Sequence, residues 1–388
     1  MARSEEEFRK EAVRRRLAGE SPAEIARSLG RSPRWVQKWV GRHELGEADW
    51  ARGLKRGPRR AANRTRADVE AQVVAVRERL VANPWAQVGA EAIAWELRKL
   101  GVEPPPRRTI EWVVARAGVT RRPRRSRRQP KGVPYPAPPA GQPGDVHEAD
   151  LVGPRHLGGG VRFYALNAID LASHRCAIAI CPDSADERVA SALVAVWQRL
   201  GLPARLKLDN GGPFVGPRGL GLIARLCLHH GVIPHFIPPR EPWRNGTVEH
   251  FNDTFDKRFF RQERFSSLDH LQERALAFET FHNGNHRYRA LAGRTPHEST
   301  AHGQTRSPSP LAELPQGWPP SGRVEFMRFI RSDRKLRLLN RAITVPETLV
   351  YEYVTAVLDL ALPAAEGNLR VLREGEIVAT ASIKLGRR

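Results

Sequence analysis

The sequence predicts a mixed α/β core, preceded by two all-helical domains and followed by a small β-barrel domain. Three observations predict it. Residues 5–42 and 67–119 carry apolar residues at helical spacing, with cap residues at the breaks. Residues 145–302 open with β-branched strands and then alternate helix and strand, the order of a mixed sheet flanked by helices. Residues 322–388 hold short strand-like runs separated by tight turns and no helical pattern.

Composition bounds the partners. Among 388 residues, 64 Lys and Arg stand against 42 Asp and Glu, a formal charge of +22. Such an excess points to a polyanion, because each cation that meets a phosphate releases counterions. A basic membrane-binding surface fits less well, since no long basic helix has an aromatic-rich apolar face. No run approaches the ~18 apolar residues that span a bilayer. The N-terminal MARSEEEFRKEAVRRR lacks the apolar core of a signal peptide, which places the protein inside the cell. Cys176, Cys181 and Cys227 are widely spaced and form no metal or disulfide pattern, so they read as free, buried thiols.

The first domain, residues 1–50, reads as three short helices. Ser21-Pro22 and Ser32-Pro33 each pair an N-cap with a first-turn proline, and Gly30 makes the turn between the second and third helices. Helix, tight turn, helix is the helix-turn-helix signature. In it the last helix enters the major groove of DNA. Val36 and Trp39 or Val40 turn inward there, while Arg31, Arg34, Gln37 and Lys38 turn outward. The second domain, residues 64–119, repeats the pattern around Pro84-Trp85 and Gly101. Arg107, Arg108 and Thr109 open its last helix at the DNA end. Trp35, Trp39, Trp85, Trp95 and Trp112 fall at helical spacing and read as core. Residues 120–144 form a linker too basic and Pro-rich to build a core, with Arg121, Arg122, Arg124, Arg125, Arg127 and Arg128 facing phosphate. A Pro- and Ser-rich linker, residues 303–321, precedes the last domain.

Three carboxylates fall where an α/β fold can make them converge. Asp150 lies in the first strand, Asp209 closes the strand RLKLD, and Glu249 lies near the start of a helix that follows a turn. Their contexts are D-x-x-G-P at Asp150 to Pro154, D-N-G-x-x-F at Asp209 to Phe214, and P-x-x-N-G-x-x-E-x-x-N at Pro242 to Asn252. These motifs resemble the catalytic domain of insertion-sequence transposases and retroviral integrases over roughly residues 140–300, and the helical and β domains match that layout. Two features depart from it. The interval from Asp209 to Glu249 is 40 positions, longer than is usual in the family, with the excess in Gly216 to Gly221. His147 stands where an aromatic residue often precedes the first aspartate.

The resemblance implies an RNase H-like core with a mixed five-stranded sheet in residues 145–302. It implies an aspartate–aspartate–glutamate triad of Asp150, Asp209 and Glu249 holding two Mg²⁺ or Mn²⁺ ions, with Asp150 bridging them. It implies cleavage at element ends and joining of 3′-hydroxyls to target DNA. Hard cations take oxygen ligands, and two of them about 3.5–4 Å apart suit in-line displacement at phosphorus. The partners implied are double-stranded DNA, a second copy of the chain at least, and room for an ATPase helper, in a prokaryotic cytoplasm at the nucleoid. A metal-dependent nuclease without joining and a catalytically silent DNA-binding regulator are the rival readings.

Around the triad, Lys207, Arg240 and Arg244 read as phosphate contacts. Asn210, Gly211, Asn245 and Gly246 read as loop-shaping residues, because Asn-Gly pairs favour tight turns. Glu148 shares a strand face with Asp150 and reads as an edge-exposed carboxylate, with an auxiliary metal role as the alternative. Asp170 reads as a turn residue. The histidines show no zinc spacing.

Overall fold

The computed structural model describes residues 4–46, 48–53, 65–120, 135–211, 214, 220–300, 306–308, 321–360 and 366–384. The basic run at 121–128, the excess loop residues at 216–219 and most of the linker at 303–321 lie outside them. Contacts divide the chain into one unit at 1–64 and another at 65–388.

The first unit contains α1 (Glu5–Leu17), α2 (Pro22–Leu29) and α3 (Pro33–Glu44). Serines start all three: the hydroxyls of Ser4, Ser21 and Ser32 accept from the backbone N–H of Glu7, Glu24 and Trp35. Gly30 ends α2 with a φ of 63°, the left-handed region that glycine adopts without strain. Ala12, Ile25, Ala26 and Val36 form the core, and Trp39 is buried beside them.

In the second unit, α4 (Ala67–Ala82), α5 (Ala90–Lys99) and α6 (Arg107–Arg116) pack around Val73, Val76, Ile93, Leu97, Ile110 and Val113. The chain continues through β1 (Val146–His156), β2 (Arg162–Asp170), β3 (Cys176–Cys181), α7 (Asp186–Leu200), β4 (Arg205–Leu208), α8 (Leu222–His229), β5 (Ile233–Phe236) and α9 (Gly246–Thr254). A π-helical segment, Phe255–Phe260, extends α9, and α10 (Leu268–Asn285) and α11 (Pro296–Thr300) follow. The strands alternate faces. Ala149, Leu166, Ala168, Leu206 and Leu208 join α7 and α8 in one core, while Phe163, Ala165, Ile169 and Ile178 join α9 and α10 in another. No helix among the described residues is long and apolar enough to cross a membrane.

The C-terminal strands do not close into the expected barrel. They are β6 (Gly322–Phe329), β7 (Lys335–Leu338), β8 (Arg341–Thr344), β9 (Tyr353–Leu360), β10 (Glu366–Arg373) and β11 (Glu376–Lys384). Four of them lengthen the core sheet to nine strands in the order β11-β10-β9-β6-β5-β4-β1-β2-β3, and β7 and β8 form a separate hairpin. The reason lies at the edge of β5, whose unpaired N–H and C=O groups invite another strand. There β6 adds in parallel, His235 opposite Glu325 and Phe236 opposite Phe326. Glu325 accepts from His235 at 2.9 Å and from Arg205 at 3.2 Å, and the two phenylalanines stack at 5.2 Å. The apolar core runs on without a break from Leu206 to Leu358 and Val371.

Candidate active site

Sheet register brings two of the carboxylates together. β1 and β4 are parallel neighbours with Glu148 opposite Lys207. Side chains two residues apart in a strand share a face, so Asp150 lies beyond Glu148 on β1 and Asp209 lies just past the end of β4, two residues beyond Lys207. Both follow the alternation that sends Ala149, Leu206 and Leu208 into the opposite core. α9 packs across this face, and Glu249 lies in its first turn.

The electrostatics carry the same message. The Asp150 carboxyl is pushed up to about 6, first by burial and then by the negative charge of Asp209, with a smaller push from Glu249. Glu249 is exposed, and it too is raised, by desolvation and by Glu148. Among the described residues, no three His, Cys, Asp or Glu side chains stand close enough to enclose a cation. Even so, the donor set fits a hard divalent ion. It is made of carboxylate oxygens that repel one another and that a cation would relieve.

The loop-shaping residues work differently from the Asn-Gly turn reading. The Gly211 N–H donates to Asp209 Oδ1 at 2.9 Å, and a Cβ at Gly211 would meet that oxygen at 2.9 Å. A side chain at 211 would push the Asp209 carboxylate aside. Gly246 has an ordinary helical φ of −63° and open space around it. Asn210 Nδ2 donates to the Ile237 carbonyl at 2.6 Å, tying the Asp209 loop to the end of β5. Asn245 is buried, with Nδ2 3.4 Å from the Ala149 carbonyl.

Two residues near the triad are not what the sequence reading expects. Glu148 is 2% exposed and caps α9. Its Oε2 accepts from the N–H of Thr247 at 3.0 Å and of Val248 at 2.9 Å. A carboxylate there meets the unpaired amides and positive end of the helix. Lys207, read as a phosphate contact, is 4% exposed and donates to Glu148 Oε1 at 2.7 Å and to the Arg244 carbonyl. The pair fixes the start of the helix that carries Glu249. Arg244 is likewise engaged, with Glu241 at 2.9 Å and Tyr353 Oη at 3.1 Å. Arg240 is exposed at a φ of 65°.

Asn252 closes the P-x-x-N-G-x-x-E-x-x-N motif, but the sequence reading gave it no role of its own. Its Nδ2 donates to Asp150 Oδ2 at 2.6 Å, and its Oδ1 accepts from Asn167 at 2.8 Å. The available signal was spacing: three residues after Glu249 on one helix means the same face. Asp170 proves a buried turn anchor, accepting from Gly144 N–H at 2.7 Å and Ser173 N–H at 2.6 Å, beside His147 at 3.4 Å. All three cysteines are free and buried.

Of the expected DNA contacts, Arg34, Gln37 and Lys38 are exposed on α3, whereas Arg31 pairs with Glu5. On α6, Arg107 pairs with Glu111 at 2.9 Å and Arg108 lies 5.1 Å over Trp112; Thr109 is half-buried. Trp112 is 56% exposed, so it is not a core residue.

Residues 230–296 match the integrase core domain family, and residues 9–71 match a winged helix-turn-helix family. The first match runs from β5 through α10 and includes Glu249 and Asn252; the second runs from within α1 through α3. The core is RNase H-like, a mixed sheet flanked by helices, and part of it is similar to integrase cores. Among solved structures, the bovine immunodeficiency virus integrase catalytic core is 20% identical, covering 40% of this chain and 92% of that one, with a TM-score of 0.32. The integrase catalytic core of human T-cell lymphotropic virus 2, in complex with magnesium, is 14% identical over 42% and 99%, with a TM-score of 0.33. The simian T-cell lymphotropic virus intasome with a PP2A regulatory subunit is 13% identical over 77% and 93%, with a TM-score of 0.38.

Proposed function

We propose that the protein is a DNA transposase that cuts at the ends of its element and joins the freed 3′-hydroxyls to target DNA. Asp150, Asp209 and Glu249 would hold two divalent cations, Mg²⁺ or Mn²⁺. The observation that carries the reading is the closeness of Asp209 and Glu249 to the half-buried Asp150, whose carboxyl is raised to about 6 by burial and by their charge.

Cations held there would supply activation of the attacking oxygen and stabilisation of the leaving one. The protein's part is to hold the oxygens in place. Asn252 orients one oxygen of Asp150, and Gly211 N–H orients one of Asp209. The Glu148–Lys207 pair fixes the first turn of α9 under Glu249. The exposed residues of α3, Arg34, Gln37 and Lys38, read the element's terminal repeats in the major groove. Bringing two ends together makes the working unit at least a dimer.

The test is a strand-transfer assay with labelled element ends, a target plasmid and Mg²⁺ or Mn²⁺. Joined products that vanish in Glu249→Gln support the reading. Cutting without joining makes the protein a nuclease, and binding with neither makes it a regulator.

A further inference from the structure

One polar residue stands in an apolar row. Alternate residues of β2, namely Phe163, Ala165, Asn167 and Ile169, face α9 and α10. The apolar members of the row are at most 1% exposed, and Asn167 among them is 0% exposed. Its neighbour on β3, Ile178, is buried as well. A side-chain amide is costly in such a place, because it leaves water and must find partners for both its ends. Asn167 finds only some of them: its Oδ1 is buried and has no hydrogen-bond partner among the described residues. A leucine would fill nearly the same space without that cost.

What Asn167 does reach is the amide of Asn252. Asn167 Nδ2 donates to Asn252 Oδ1 at 2.8 Å, and Asn252 Nδ2 donates to Asp150 Oδ2 at 2.6 Å. Asn167 is also the register partner of Asp150 across β1 and β2. The two therefore lie side by side on one face of the sheet, with Asn252 bonded to both.

The direction of these bonds matters. A primary amide has a donor end and an acceptor end. With its Oδ1 taken by Asn167, Asn252 turns its N–H₂ end toward Asp150. Without Asn167, the Asp150 charge alone would choose the orientation of that amide. This choice weakens once the carboxylate shares its charge with a cation, which is when the carboxylate most needs to be held. Asn167 holds the donor from the other side.

We propose that Asn167 is a positioning residue for Asp150: it locks the Asn252 amide with its N–H₂ end on Oδ2, and so fixes the carboxylate that is offered to divalent cations. The proposal rests on the reading of Asp150, Asp209 and Glu249 as metal ligands. The experiment is a Mn²⁺ titration of the full chain with an uncleavable element end present, free Mn²⁺ being followed by electron paramagnetic resonance. Asn167→Leu should weaken Mn²⁺ binding about tenfold, the low end of what outer partners of metal ligands contribute. Asn252→Ala should weaken it at least as much. The double variant should match Asn252→Ala alone, because Asn167 acts only through that amide. A residue that served packing alone would add its own loss to that of Asn252→Ala, so additive effects overturn the proposal. Asn167→Leu that binds Mn²⁺ as tightly as wild type, while Asp150→Asn does not, also overturns it and leaves the metal-site reading standing. Equal Mn²⁺ uptake by wild type and Asp150→Asn overturns both. Leucine suits the apolar row, so Asn167→Leu should melt near wild type in EDTA. Should it melt early, Asn167→Ala takes its place in the same cycle and decides by the same outcomes.

Discussion

Asp150→Asn should stabilise the metal-free protein while it abolishes cutting. The folded protein holds the Asp150 carboxyl at about 6 against an ordinary 3.8, so ionising it costs folding energy. Each unit is worth about 1.4 kcal/mol, and the raised value therefore represents about 3 kcal/mol of destabilisation at neutral pH. The sign follows from proton counting. Between about 4 and 6 the native state binds more protons than the unfolded chain, so stability falls as pH rises through that window and levels off above it. An asparagine has no charge to bury, and its amide oxygen can still accept from Asn252. Thermal melts in EDTA at pH 4 and pH 7 make the comparison. At pH 7 the variant should melt several degrees above wild type, and near pH 4 the gap should close. Added Mg²⁺ should raise wild type and not the variant. A variant that melts below wild type at pH 7 without metal would refute the argument, because the carboxylate would then be stabilised by the fold.

Other substitutions probe the supports of the site. Lys207→Met leaves the Glu148 carboxylate buried without its cation and should cost about 3–5 kcal/mol, read by urea melts; Glu148→Gln added to it should recover part of the loss. Asn252→Ala removes the bond that lowers the Asp150 carboxyl, so the acid limb of the cleavage pH profile should move to higher pH; an unmoved limb would mean the bond is idle. Gly211→Ala places a methyl 2.9 Å from Asp209 Oδ1 and should cut cleavage at least tenfold with native-like secondary structure by circular dichroism. Trp85→Ala removes a ring that packs edge-on against Phe278 and donates to Glu263, and should cost about 3–5 kcal/mol, seen as faster hydrogen exchange in α4 and in the π-helical segment.

Much of the arrangement is legible in the sequence because it depends on local patterns. The serine caps, Gly30 and the apolar spacing mark α1 to α3, and the strand runs mark β1 to β5. The placement of Asp209 just past a strand and of Glu249 just inside a helix is equally local. What escaped depends on pairing across distance. Nothing near Glu148 or Lys207 announces that parallel register sets them opposite each other, so one read as an exposed carboxylate and the other as a phosphate contact. The short strands after 322 look alike whether they close on themselves or add to β5; Glu325 and Phe326 decide it by meeting His235 and Phe236. Helical spacing likewise cannot say whether another element covers a given face. Trp85 lies between elements and docks, while Trp112 on α6 stays in solvent.

The most direct test of the central claim is a Mn²⁺ titration of the full chain, with free Mn²⁺ followed by electron paramagnetic resonance in the presence of an uncleavable element end. Wild type should take up two ions per chain, and Asp150→Asn, Asp209→Asn and Glu249→Gln should each lose one or both while still binding the DNA. Mn²⁺ uptake unchanged in all three variants would contradict the claim that these carboxylates form one metal-dependent active site.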